Sequence, residues 1–370
     1  MDKPMPRHIF SFLTDRILGQ EDVLRKLAVA LYKHVNGIRG GNLLLVGNSG
    51  TGKTTIMKTV REFYNQVEGL ADYRTMVIMN ANTLVDEEGV INTGRIFTTL
   101  ETVTRQQLGP TVDGETLKRR MENATVCFDE VDKLSARIAG KTFVTGIAFQ
   151  QALLTILEGE TVTHETIAHF EGKPEKVRFP VDTKNVLFLC GGAFEELYNQ
   201  VYVLIRDRQD DRRFREEKEW DEEESRLHKK IVFSLREYLR MADIFEYGML
   251  PQFISRFGSI AILEDLKALQ LKEIFLKAED SPYRASAAFF KTFGVQLKVS
   301  EEALEIIAHH AEANTRIGAR ALREVFGRII ADLEFEPFRF AKLDPASGEM
   351  VIEITSDVVK ANLGSKPGGL

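Results

Sequence analysis

At 370 residues the chain is longer than a typical single domain, so two domains are expected, and its 44% hydrophobic content supports a sizeable core. A net charge of −6 argues against a dedicated nucleic-acid binder. Cys127 and Cys190 both sit inside apolar runs and read as core thiols, not as a disulfide, a metal pair or a nucleophile. Residues 1–6 lack the apolar core of a signal peptide, and no run approaches the ~18 apolar residues of a membrane span. A cytoplasmic location is therefore expected.

Residues 8–34 read as two amphipathic helices broken at Gly19, with Val23, Leu24, Leu27, Ala28 and Leu31 on one face. Leu18-Gly19-Gln20 is either a plain break or part of an adenine pocket, since a planar base needs apolar walls and backbone hydrogen bonds. An apolar run at 43–46 predicts a buried parallel strand. Gly47, Gly52, Lys53 and Thr54 then fit G-x-x-x-x-G-K-[ST], the phosphate-binding loop. Its glycines let backbone N–H groups turn toward phosphate oxygens, and the helix expected over 54–67 adds its N-terminal partial charge. Asn48, Ser49, Gly50, Thr51, Gly52, Lys53, Thr54 and Thr55 are the candidate nucleotide contacts. Lys53 should reach the outer phosphates and the Thr54 hydroxyl should ligate Mg²⁺.

A second strand is expected over 75–80, a polar loop over 85–94 and a helix over 96–103. The run 125–128 should form a strand adjoining the first one and delivering Asp129 and Glu130 to its C-terminal end. Open α/β sheets bind ligands at such strand ends. Asp129 would hold Mg²⁺, mostly through water, and Glu130 would orient and deprotonate the attacking water. Residues 135–147 read as an exposed loop. A helix is expected over 149–157, ending near Gly159, then a hairpin or mobile loop over 160–180. Another buried strand is expected over 185–190.

Residues 206–230 carry dense charge of both signs, within an insertion spanning about 200–240. They read as a solvated helix or a partly disordered excursion, with Trp220, the only tryptophan, as a candidate partner anchor. Amphipathic helix should resume over 231–239. Arg256, taken alone, reads as a surface arginine. Beyond residue 263 the pattern turns helical, over 269–277, 285–293, 301–313 and 321–335, with one late strand over 350–354. The expected division is 1–262, 263–363 and a flexible Gly/Pro tail at 364–370.

Taken together, these segments resemble the ClpX-type AAA+ ATPases of the Clp/Hsp100 family over about residues 8–360. The resemblance is carried by Leu18-Gly19-Gln20, Gln150-Gln151-Ala152-Leu153-Leu154 through Glu158-Gly159, and Val181-Asp182-Thr183. It is carried also by the stretches 187–194 and 250–256 and by Gly318-Ala319-Arg320. It implies an α/β three-layer P-loop domain with a parallel sheet, then a smaller, mostly helical lid domain. It further implies ATP and Mg²⁺ as cofactors, and a homo-oligomeric, hexameric ring with ATP between subunits. Arg256 matches the arginine finger that reaches a neighbour's γ-phosphate, and Arg320 the sensor-2 arginine that reads nucleotide in its own subunit. Glu130, Arg256 and Lys53 are thus the catalytic candidates, Thr54 and Asp129 the metal candidates.

Four departures qualify the resemblance. The N-terminal zinc module is not found. The axial Gly-Tyr-Val-Gly motif aligns with Glu88-Gly89-Val90-Ile91, which lacks the gripping aromatic; Phe143 is either its substitute or a core residue. The family's basic loop is only loosely echoed by Gly172-Lys173-Pro174 and Arg178. No Ile-Gly-Phe-type loop for docking the ClpP peptidase is visible. The expected activity is ATP-driven remodelling or unfolding of a protein partner, without ClpP. The alternatives are a nucleotide-switched regulatory or scaffolding ring, and a nucleic-acid motor, which the acidic balance disfavours.

Overall fold

The computed structural model describes residues 3–138, 140–170, 173–209, 211–221, 226–313, 318–345 and 347–364. The chain divides into two compact units, Met1–Gly47 with Lys53–Leu263, and Asn48–Gly52 with Glu264–Leu370.

The first unit is built on five strands: β1 (Leu43–Val46), β2 (Met76–Asn80), β3 (Thr125–Asp129), β8 (Leu187–Gly192) and β11 (Ser259–Ile262). They pair in the order β11-β1-β8-β3-β2, every pairing parallel. Successive strand residues point to opposite faces, so each apolar run feeds two cores. Leu44, Val46, Val126, Phe128, Phe188 and Cys190 join one cluster with the helices Gly94–Leu108, Gly114–Glu122, Val144–Leu157 and Glu195–Arg206. Leu43, Leu45, Cys127, Leu187 and Leu189 join the other, with Pro6–Thr14, Glu21–Val35 and Lys53–Gln66. The result is a three-layer α/β unit. Cys127 and Cys190 are buried and free, and burial pushes both thiols well above their ordinary range.

Several expectations are corrected. Residues 135–147 are not an exposed loop. Ser135 and Ala136 are buried, β4 (Arg137–Ile138) and β5 (Lys141–Thr142) form a small hairpin, and the helix starts at Val144. Phe143 is partly buried and packs against the first core. The helices Gly114–Glu122 and Glu195–Arg206 were not anticipated; Leu117 and Met121 in one, Leu197, Val201 and Ile205 in the other, carry the apolar stripe. Residues 160–180 do form a hairpin, β6 (Thr161–Phe170) with β7 (Lys173–Asp182). Its base is fixed by Glu101, which accepts hydrogen bonds from His164 (2.7 Å) and Thr166. Arg178 pairs with Glu165 at 3.2 Å, and Gly172 lies outside the described residues.

Past Arg206 the described part of the charged stretch is not a helix. It forms an antiparallel hairpin, β9 (Arg215–Asp221) with β10 (Arg226–Val232). The register places Glu217 opposite Lys230, Lys218 opposite Lys229 and Asp221 opposite Arg226. Residues 210 and 222–225, and the side chain of Trp220, lie outside the described part. The expected helix over 231–239 shrinks to Leu235–Tyr238, because Ile231 and Val232 complete β10.

This hairpin is rooted in an aromatic cluster. Tyr202 stands 5.0 Å from Phe214 and 5.4 Å from Phe233, and Phe233 stacks on Tyr238 at 5.7 Å. Beside it, buried Arg212 donates to both Asp243 carboxylate oxygens, at 2.6 and 3.1 Å, and to the Tyr238 carbonyl at 2.7 Å. Removing one partner of a buried ion pair strands the other charge, at a cost of about 3–5 kcal/mol. Asp243→Ala should therefore loosen the hairpin root before the rest of the unit. Trp220 fluorescence in a urea titration is the local probe: its transition should fall well below the wild-type midpoint. An unchanged midpoint would show the pair to be dispensable.

The second unit packs the helices Ala268–Lys277, Pro282–Lys291, Glu301–Ala313, Arg320–Phe335 and Ser356–Leu363 around one core. One late strand was expected, but the described residues hold three: β12 (Val295–Val299), β13 (Lys342–Leu343) and β14 (Met350–Ile354). They pair in the order β12-β14-β13, with β12 parallel to β14. Val295 and Leu297 are buried and Gln296 and Lys298 exposed, the alternation of a half-buried strand. Of the tail expected at 364–370, residues 365–370 lie outside the described part.

Candidate active site

In the first unit the candidate chemistry gathers at the C-terminal ends of the parallel strands. Strand β1 runs into Gly47, whose N–H donates to the Gly192 carbonyl at the end of β8 (3.3 Å). Lys53 opens the following helix, is buried, and donates from Nζ to the Gly47 carbonyl. Thr54 Oγ1 donates to Asp129 Oδ2 at 2.9 Å, and Asp129 Oδ1 accepts the Glu130 N–H at 2.9 Å. Thr55 is exposed one residue further on. A hydroxyl and a carboxylate in contact form a hard oxygen set of the kind Mg²⁺ selects, so these residues fit that ion.

Glu130 has φ +59, a left-handed conformation rare for a non-glycine residue. Such strain persists where surroundings over-determine it. Here Asn80, the last residue of β2, donates from Nδ2 to Glu130 Oε2, and also accepts the Asn82 N–H at 2.9 Å. Sequence reasoning missed Asn80; the only trace was a polar residue ending an apolar strand. Asp132 was missed too. It is buried, its Oδ2 accepts the Phe194 N–H at 3.2 Å, and its Oδ1 has no hydrogen-bond partner among the described residues. Burial raises its pKa above the usual carboxylate range. Gly192 is required beside it, since a Cβ there would come within 2.5 Å of Asp132 Oδ1.

Leu18-Gly19-Gln20 forms the bend between the first two helices. Gly19 has φ +75, Gln20 is buried, and the Gln20 carbonyl accepts the Leu24 N–H at 2.9 Å. Arg256 is not with the acids. It lies just before β11, where Gly258 N–H donates to the Asn42 carbonyl ahead of β1. Arg256 is thus at the N-terminal edge of the sheet and Glu130 at the C-terminal edge. A four-residue strand alone separates those edges by ~13 Å.

The loop Asn48–Gly52 groups with the second unit. Asn48 Nδ2 donates to Asp265 Oδ1 at 2.9 Å, and burial raises the pKa of Asp265. Ser49 Oγ accepts from Arg320 Nη1 at 2.8 Å, and the Gly50 carbonyl accepts the Ala319 N–H at 3.1 Å. Thr51 Oγ1 donates to the Asn48 carbonyl at 2.8 Å. Gly50 and Gly52 both have positive φ, and a Cβ built at Gly52 would meet only open space. Gly318 has φ +50, and a Cβ there would stand 2.7 Å from the Gly50 backbone. Asp265 carried no signal in the sequence.

A phosphate loop at the end of β1, with adjacent acids at the end of β3, which is separated from β1 by β8 and does not adjoin it as expected, defines a P-loop ATPase. Residues 39–260 match the AAA domain (Cdc48 subfamily), and the chain belongs to that family. Its similarity extends to proteins named ATP-dependent Clp protease ATP-binding subunit ClpX. That of Bacteroides fragilis is 25% identical over 97% of this chain and 82% of its own length. That of Treponema denticola is 27% identical over 90% and 77%, and that of Borrelia duttonii 28% over 90% and 74%. The chain is a ClpX-like AAA+ ATPase. Among the described residues, no helix is long and apolar enough to cross a membrane.

Proposed function

We propose that this chain works in the cytoplasm as a hexameric ring that couples ATP hydrolysis to remodelling of a protein partner. The observation that carries the ring is the placement of Arg256 and Glu130 at opposite edges of one sheet. A guanidinium so far from its own catalytic acid can assist hydrolysis only at a neighbour's site. Lys53 and Arg320 bind phosphates, Glu130 takes the proton of the attacking water, and Asn80 holds Glu130 until substrate arrives. Thr54 and Asp129 would hold Mg²⁺, which neutralises phosphate charge. Gly19 and Gln20, with Leu18, would meet the adenine.

ClpP-type peptidase docking is not part of this proposal. Where the family's docking loop is expected, the chain places the β9–β10 hairpin. A second reading, a nucleotide-switched regulator that threads nothing, is favoured by the loop at 85–91. This loop is a tight self-bonded turn: Asp86 Oδ1 accepts the N–H groups of Glu88 (3.0 Å) and Val90 (2.8 Å). It presents Glu88 and Val90 but no aromatic, and Phe143 packs inward. An aromatic supplies large contact area at small entropy cost, so grip should be weak here.

The test is a stably folded fluorescent protein carrying an unstructured tail. The wild-type ring should turn over ATP yet leave its fluorescence nearly unchanged. Val90→Tyr should increase unfolding; Gly89, at φ +80, is the poorer site for an added side chain. Rapid loss of fluorescence with the wild-type ring would contradict the weak-grip reading. Failure to remodel any loosely held assembly, with full ATP turnover, would favour the regulator.

A further inference from the structure

The Arg256 guanidinium is held by an acid that the proposed cycle does not use. Its Nη2 donates to Glu158 Oε1 in a close ion pair, with side-chain exposures of 38% and 33%. Glu158 is the C-cap of the helix Val144–Leu157, its N–H bonded to the Leu154 carbonyl at 2.8 Å. A carboxylate there sits at the negative end of the helix dipole, which disfavours it unless a cation is near. Arg256 supplies that cation.

The Arg256 backbone, by contrast, is pinned to the sheet. Asn42 Nδ2 donates to the Arg256 carbonyl at 3.2 Å, while Asn42 Oδ1 accepts the Phe188 N–H of β8 at 3.0 Å. A rearrangement that keeps these bonds would involve the side chains of the pair. Glu158 also lines a small open cleft, together with His34, Arg39 and Lys184. Arg39 is exposed and, among the described residues, forms no salt bridge, though its charge helps to lower the pKa of Asp182. Lys184 pairs with Asp182 at 3.1 Å. The cleft therefore offers the Glu158 carboxylate both room and a second cationic environment.

We propose that Glu158 is a positioning residue that masks Arg256 in the unengaged subunit and releases it, turning toward Arg39, when a neighbour's nucleotide phosphate takes its place. This rests on the in-trans reading of Arg256. A guanidinium keeps its proton at every accessible pH, so only its partner can control its availability. Carboxylate and phosphate compete for the same donor edge, and two anions crowded there repel each other. Release thus waits for a seated, multiply charged phosphate, and Arg256 stays silent toward lesser anions.

The experiment measures ATP turnover against protein concentration, with assembly followed by sedimentation velocity. Glu158→Gln should reach half-maximal turnover at a concentration about two- to fivefold lower than wild type, the range for a half-exposed ion pair. Glu158→Asp, which keeps the charge, should follow the wild-type curve. Arg39→Ala should shift the curve to higher concentration, because the released carboxylate loses its alternative partner. Superimposable curves for Glu158→Gln and wild type would overturn the proposal. So would loss of turnover in Glu158→Gln, which would make Glu158 a support instead of a mask. If Glu158→Gln is less stable thermally, Arg39→Ala decides: a shift upward supports the mask, and no shift overturns it. Failure of the in-trans reading looks different, since Arg256→Ala would then keep full turnover.

Discussion

Glu130→Gln is expected to bind ATP as well as the parent and to turn it over about 10²- to 10⁴-fold more slowly, the usual contribution of a positioned general base. The expectation follows from where Glu130 is held. Asp129 ends β3 and meets Thr54, which places the phosphate loop within one hydrogen bond of the strand end. Glu130 is the next residue, in a left-handed turn that directs its carboxylate to Asn80. The amide of Gln keeps a hydrogen-bonding oxygen but cannot accept a proton at neutral pH. Lys53→Ala should fail earlier, by losing affinity, because it removes the cation at the phosphate loop. Fluorescent-nucleotide titration separates the two variants: Glu130→Gln saturates and Lys53→Ala does not. Full turnover by purified Glu130→Gln would remove Glu130 from the base role.

Arg256→Ala should leave ATP binding nearly intact and lower hydrolysis by roughly 10³ or more, the effect of removing arginine fingers in other NTPases. The sheet explains why binding survives. Arg256 lies before β11, at the edge opposite to Lys53 and Thr54, and its side-chain partner is Glu158. The decisive measurement mixes subunits. Arg256→Ala retains Glu130, and Glu130→Gln retains Arg256, so one interface type in a mixed ring joins two intact halves. Activity of the mixture should exceed that of both parents. Mixed rings that form but never exceed the parents would make an in-trans role wrong.

The parts of this protein legible in its sequence are those whose signal is contiguous. The phosphate loop occupies eight consecutive residues, and Asp129-Glu130 directly follows an apolar run, so both stand out before any folding is considered. The α/β class was legible for the same reason: fully buried parallel strands are written as unbroken apolar runs such as Leu43–Val46. Strands that are short of such runs were not. Val295–Val299 alternates over only five residues, and the β9–β10 hairpin hides within a charge density that also suits a solvated helix. Its root depends on Arg212 finding Asp243 thirty-one positions away. Partnerships of this kind belong to register and packing. Asn80 reaches Glu130 only because β2 and β3 pair with Asn80 opposite Asp129. Glu158 reaches Arg256 only because a helix ends beside the start of β11. What chemistry the chain can attempt was set by its local sequence. Which groups restrain that chemistry was decided by the tertiary fold, because hydrogen bonds and ion pairs act over a few ångströms of space regardless of separation along the chain.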